Sequence, residues 1–138
     1  MKISKHFWQK EFDCKCGCKT DVIVHSSLLS LLEKIRVALD APIRITSGGR
    51  CEEHNQKVGG SKKSWHIPRP GNGILYASDI SYWRDNASIS KMDTLKLYTL
   101  ANVNHAQGLG LYPGRIHVDT RPTKARALWI DNPTWRWD

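Results

Sequence analysis

The chain predicts an α+β fold, a small antiparallel sheet with helices packed against one face. Three observations carry that expectation. Two segments repeat apolar residues at helical spacing, and several short runs alternate apolar and polar residues between glycine and proline breakers. No internal repeat or low-complexity linker divides the 138 residues. With 40% hydrophobic residues the chain has material for one core, so 1–138 is expected to be a single domain, with 1–25 an irregular cysteine-containing segment docked on it.

Phe7, Trp8 and Phe12 are the expected anchors of that first segment. Leu28, Leu31, Leu32, Ile35 and Leu39 then recur on one helical face, which predicts a helix over about 27–40 with Ser26 or Ser27 as its cap and Asp40-Ala41-Pro42 as its stop. Ile43-Arg44-Ile45-Thr46 alternates as a strand and runs into Ser47-Gly48-Gly49-Arg50, a turn that aims Arg50 toward a cleft. A short helix over about 52–58 follows, stopped by Gly59-Gly60. Ile67-Pro68-Arg69-Pro70-Gly71-Asn72-Gly73 is a loop by its breakers, and 74–81 is a strand with Asp79 near its end. Ile89, Met92, Leu95, Leu97, Tyr98 and Leu100 predict a second helix over about 88–101, preceded by Asn86 or Ser88 as cap. Residues 109–112 and 115–119 form a hairpin around Pro113-Gly114, and 125–130 offers a further strand. Trp129, Trp135 and Trp137 are expected to cover the core or rim the cleft.

The formal net charge of +8 favours polyanionic partners, whether nucleic acid, anionic lipid or an acidic cell-wall polymer. No compact basic run is present, Lys62-Lys63 being the longest uninterrupted pair, which argues against a nucleic-acid arm. No stretch has the length and apolarity of a membrane span, and Met1 to Trp8 lacks the apolar region of a signal peptide, so the expected starting place is the cytoplasm. Cys14, Cys16, Cys18 and Cys51 suit a reduced or metal-binding cluster better than a disulfide framework. Two readings stand for them: a structural zinc held by all four, or small thiols packing the N-terminal segment under the Cys51 loop.

Ser47 to Asn55, Val58-Gly59-Gly60, Ser64-Trp65-His66, Ala77-Ser78-Asp79-Ile80 and Ile116-His117-Val118-Asp119 together form a dispersed constellation. In it His66, Asp79 and His117 are a suitable set for a catalytic zinc, because three protein ligands leave a fourth tetrahedral position open.

Glu11-Phe12, Ile45 to Arg50 with His54-Asn55, and Gly108-Leu109-Gly110-Leu111-Tyr112 leading to His117-Val118-Asp119 complete the pattern. From about Phe7 to Trp129 the chain resembles the zinc D-Ala-D-Ala carboxypeptidase and phage-endolysin metallopeptidase family, whose core is shared with lysostaphin-type peptidases and hedgehog signalling domains. The resemblance implies a hedgehog/D,D-peptidase-like fold in which His66, Asp79 and His117 hold Zn²⁺ and Arg50 reaches the substrate carbonyl or carboxylate. The alternative for Arg50 is a surface ion pair with Glu52 or Glu53.

His54 and Asn55 are expected to support the Arg50 loop. Ser64 and Tyr112 are the candidate substrate-binding residues, Ser64 serving equally well as a turn former. Two departures from the family pattern stand out. The interval from His66 to Asp79 is long, as a lengthened loop at the cleft edge would make it, and Gly114 stands three residues before His117 where many relatives carry a general base. Asp119, two residues on and sharing a strand face with His117, is the candidate catalytic base; it equally suits orienting an imidazole or pairing with Arg121, and His105 and Tyr112 are further candidates.

The function implied is a zinc-dependent peptidoglycan peptidase, an endolysin-like L-alanyl-D-glutamate or related endopeptidase from a bacteriophage, acting in cell wall degradation. Its partners are peptidoglycan stem peptides, with no nucleic acid and no stable membrane insertion, and it works as a monomer that stays in the host cytoplasm until lysis. The alternatives are a D-Ala-D-Ala carboxypeptidase and a non-catalytic metal-binding recognition module of the same fold.

Overall fold

The computed structural model describes residues 1–69, 72–83 and 89–130. Along the chain run β1 (Ile23–Val24), α1 (Ser26–Leu39), β2 (Ile43–Ser47), α2 (Glu52–Lys57), β3 (Ile74–Leu75), β4 (Ala77–Tyr82), α3 (Lys91–Val103), β5 (Gly108–Tyr112), β6 (Arg115–Asp119) and β7 (Ala127–Ile130). Five of the strands form one sheet in the order β2-β4-β6-β5-β7, and β1 pairs with β3 in a separate parallel ribbon. The fold is α+β as predicted, with one refinement: β7 lies parallel to β5, while the other pairings of the sheet are antiparallel.

Strand alternation divides the sheet into two chemically different faces. Ile43, Ile45, Ile80, Leu109, Leu111, Ile116 and Val118 are buried in one apolar cluster with Leu28, Leu31, Leu32, Ile35 and Leu39 of α1. In α3, which packs on β4, β5 and β6 and against α1, Leu97 and Ala101 join the same core. Full burial of each large aliphatic side chain contributes about 1.5–3 kcal/mol, so this layer fixes the sheet's orientation. On the opposite face the pairing sets Ser47 beside Asp79, Asp79 beside His117, His117 beside Gly110 and Gly110 beside Trp129, a single row across all five strands. A bulge between Ile45 and Ser47 brings Ser47 into that row as β2 leaves the sheet.

Several boundaries differ from expectation for local reasons. The cap of α1 is His25, whose ring nitrogen accepts from the Ser27 amide, and Asp40 ends the helix in the left-handed region at φ 51°. Ser90 caps α3 by accepting from the Asp93 amide, so the helix starts three residues later than predicted, and Asn86 and Ser88 lie outside the described residues. The buried face of α3 is Thr94, Leu97 and Ala101, which leaves Met92 74% exposed. Thr94 tolerates burial because its hydroxyl donates to the Ser90 carbonyl. The strand predicted over 74–81 is broken at Tyr76, where the chain changes partner from β1 to β6. Pro70, Gly71, Trp135 and Trp137 also lie outside the described residues.

Within 1–25, Phe7 and Phe12 are buried and meet edge to face, whereas Trp8 is 48% exposed. The extended backbone at Trp8 turns adjacent side chains to opposite sides, so anchoring Phe7 excludes Trp8 from the core. The segment docks on the turn after β2: the Gly49 amide donates to the Phe12 carbonyl at 2.7 Å, and a Cβ on Gly48 would run into the Phe12 backbone. Gly48→Ala is therefore expected to cost about 1–3 kcal/mol, read as a lower urea midpoint. An unchanged midpoint would contradict this close approach.

Candidate metal centre

Asp79 and His117 project from directly paired positions on β4 and β6, and His66 enters from the loop after α2. All three are buried. His66 Nε2 lies 3.1 Å from Asp79 Oδ1 and 3.1 Å from His117 Nδ1, and His117 Nδ1 lies 3.3 Å from Asp79 Oδ1. The outer ring nitrogens settle the tautomers. His66 Nδ1 faces the Gly48 carbonyl at 2.8 Å, which can only accept, and His117 Nε2 faces the Asp119 carboxylate at 2.7 Å. Each neutral imidazole thus turns a lone pair inward toward the Asp79 oxygen, and three acceptors at this separation need a cation among them.

A tetrahedral metal with nitrogen and oxygen arms of about 2.0–2.2 Å has ligand–ligand edges of roughly 3.3–3.6 Å, a few tenths of an ångström wider than the spacing found, so a small outward turn of the side chains admits it. The residues present therefore fit a divalent metal. Without one, a proton is the substitute. Burial works to lower the His117 pKa, but its hydrogen bonds to Asp119 and Asp79 outweigh burial and raise it. For His66 burial prevails over the attraction of Asp79, and its pKa is lowered. Burial would raise the Asp79 pKa, yet the charges and hydrogen bonds of the two histidines hold its carboxyl well below the usual range.

Asp119 sits behind His117, away from the inward lone pair. It is fully buried, and Arg121 grips it through Nε at 2.9 and 3.1 Å and Nη2 at 2.6 Å, with the Arg121 amide at 3.0 Å. Burial again opposes ionisation, but His117 and Arg121 keep this carboxylate depressed. Room for it comes from a neighbour without a side chain, since a Cβ on Gly108 would overlap its oxygens. Gly110 plays the same part beside His117: its missing side chain admits the Trp129 indole, whose ring lies 4.9 Å from the His117 ring.

Arg50 is held in place by Ser47 Oγ at 2.9 Å, Asn55 Oδ1 at 3.2 Å and Asp79 Oδ2 at 3.3 Å, leaving one N–H on each terminal nitrogen. Its charge partner is Asp79, while Glu53 pairs with Lys57. Burial lowers the Arg50 pKa, with Asp79 opposing. Asn55 is buried and also ties down Ser61 through its carbonyl at 2.8 Å. His54 lies elsewhere, bordering Cys16 and Cys18. Ser64 Oγ accepts from the His66 amide at 3.2 Å, and both Ser64 and Tyr112 line the cleft over the histidines. His105 is exposed in a turn at φ 65° and is not among the cleft-lining residues.

The cleft has a volume of about 480 Å³. Arg115 and Arg121 line it with Arg50, and sequence reading had no role in the cleft for either of the first two. Strand alternation carries the signal, because Arg115, His117 and Asp119 share one face of β6. Arg115 Nε lies 3.8 Å from Asp79 Oδ2, and its guanidinium stacks on the Tyr112 ring at 4.4 Å.

Two imidazoles and a carboxylate at the floor of a cleft, with a fixed guanidinium beside them, are an arrangement suited to metal-dependent hydrolysis. The family described as Peptidase M15 matches residues 5–119, and the chain belongs to that family of metallopeptidases. No curated protein matches the sequence.

His66→Ala, Asp79→Ala and His117→Ala are each expected to lose one tightly bound metal ion per chain in elemental analysis; retention in all three would remove the site. The raised pKa of His117 sets the pH dependence. Below it a proton must leave before metal enters, so the logarithm of affinity should climb with pH past the ordinary imidazole value of about 6.5 and then level off. Asp119→Asn removes a group that raises this pKa and should move the levelling point to lower pH in competition titrations.

Proposed function

We propose that this metallopeptidase is a zinc-dependent hydrolase of peptidoglycan stem peptides, an endolysin-like L-alanyl-D-glutamate or related endopeptidase. The observation that carries the reading is the cationic cleft, in which Arg50, Arg115 and Arg121 surround the His66, Asp79 and His117 donor set. Asp79 is the one carboxylate among the described residues lining it; it offsets Arg50, and the buried Asp119 offsets Arg121, so Arg115 carries the remaining positive charge that favours an anionic peptide. Stem peptides carry free carboxylates, and the chain's +8 charge favours an anionic envelope. Among the described residues no helix is long and apolar enough to cross a membrane. A monomer released from the host cytoplasm at lysis fits the resemblance to phage endolysins.

When bound, zinc supplies Lewis acidity, polarising the scissile carbonyl and acidifying water. Arg50 directs its two remaining N–H groups at the carbonyl oxygen, where charge develops in the transition state. Tyr112 Oη accepts from Trp129 Nε1 at 3.0 Å, which leaves its own hydrogen for a substrate oxygen. Ser64 presents its hydroxyl along the same wall. Asp119 has its oxygens committed to His117 and Arg121, which supports a positioning role, fixing the His117 ring and tautomer, over that of general base.

The absence of a second carboxylate among the described cleft-lining residues is the observation that favours a non-catalytic binding module. Incubation with purified sacculi decides between the readings. New amino termini at D-glutamate support the endopeptidase, free D-alanine alone supports a D-Ala-D-Ala carboxypeptidase, and no product from metal-loaded protein supports the binding module. Arg50→Ala is expected to keep its metal and lose about 10²- to 10³-fold in turnover. Asp119→Asn is expected to weaken metal affinity by about 10- to 100-fold, with activity restored by excess zinc. A persistent loss of turnover at saturating zinc would return Asp119 to the role of base.

A further inference from the structure

Cys14, Cys16, Cys18 and Cys51 gather their sulfurs within 4.8 Å of one another, away from the cleft. We propose that these four thiols form a second metal centre, a structural tetrathiolate zinc site that locks the N-terminal segment to the loop carrying Arg50.

Spacing is the first argument. Sγ of Cys14 lies 3.4 Å from that of Cys16 and 3.9 Å from that of Cys51, and Cys16 lies 3.7 Å from Cys51. A disulfide needs about 2.05 Å. Zinc–sulfur arms of about 2.3 Å place the corners of a tetrahedron roughly 3.8 Å apart, which these separations bracket. Cys18, now donating to Thr20 Oγ1 at 3.1 Å, supplies the fourth corner.

Exposure is the second. Packing explains a buried Cys14, but Cys16 and Cys18 are exposed and gain nothing from the apolar core. The tight Cys-Lys-Cys-Gly-Cys spacing is made workable by Gly17, which takes φ 77° so that the chain reverses and three sulfurs turn to one side.

The third is the pattern of donors. The Cys51 amide donates to Cys14 Sγ at 3.4 Å and the His54 amide to Cys51 Sγ at 3.3 Å, contacts that disperse the charge of thiolates gathered on a metal. A set of soft sulfur ligands selects zinc over magnesium or calcium, and loading displaces protons from the thiols. The consequence for the cleft is mechanical. Cys51 follows Arg50 directly, and Phe12, whose carbonyl holds Gly49, lies two residues before Cys14.

Cobalt substitution of the whole chain tests this under reducing conditions. The expected result is two metal ions per chain, with strong sulfur-to-cobalt charge-transfer absorption from one of them. His117→Ala should keep that absorption and retain one metal. Cys16→Ser, at an exposed position, should lose the absorption, keep the histidine-bound metal and show a lower melting temperature in zinc than the parent chain. A parent chain that binds one cobalt without thiolate bands overturns the proposal. So does equal reactivity of the four thiols toward a disulfide reagent with and without zinc. The thiolate absorption is independent of peptidase activity, so failure of the proposed function leaves this test intact.

Discussion

Three lone pairs held at hydrogen-bond distance with no hydrogen to share are the constraint around which this molecule is organised. His66 and His117 have each committed their N–H to an outer acceptor, and Asp79 is kept ionised by its surroundings. Such a cluster is unfavourable in a folded chain unless a cation occupies its centre. The surrounding structure can be understood as the framework that keeps these three groups from turning away. Gly48 and Asp119 fix the rings, Arg50 and Arg115 shield the far oxygen of Asp79, and Trp129 closes the side of His117.

That framework relies on backbone pairing more than on loops. Asp79 and His117 are cross-strand neighbours, so their separation follows from the spacing of adjacent strands and cannot drift without breaking the sheet. The hydrophobic layer beneath, from Ile45 across to Leu109, supplies the energy that keeps the register. A slip of one residue would exchange His117 for Ile116 or Val118 and put an aliphatic side chain in the candidate metal site. Core burial and site geometry are therefore one specification, written on alternate residues of the same strands.

Much of this was legible in the sequence. The helical repeat from Leu28 to Leu39, the glycine turn after β2, the hairpin at Pro113-Gly114 and the three metal-binding candidates follow from periodicity, breakers and motif. What escaped depends on partners that sequence order conceals. Trp8 and Met92 look like core residues until the phase set by Phe7 and Leu97 excludes them. The break at Tyr76 arises from a change of strand partner, which no local signal announces. Gly108 and Gly110 stand in the sequence only as part of a motif, while their contribution in the fold is empty space for Asp119 and Trp129. Arg115 declared itself only through alternation with His117.

The excursion between Gly48 and His66 has a narrow neck. At its base the Gly48 carbonyl receives the His66 ring, and the Arg50 amide donates to the His66 carbonyl at 2.7 Å, so one residue ties both ends of the excursion together. Past Cys51, tied to Cys14, and Asn55, tied to Arg50, residues Val58, Gly59, Gly60, Ser61 and Ser64 form one wall of the cleft. Asp79 and His117 thereby stand on paired strands of the sheet, apart from this wall. A change of contour over residues 58–64 reshapes the cleft wall without touching the strand pairing that sets Asp79 beside His117.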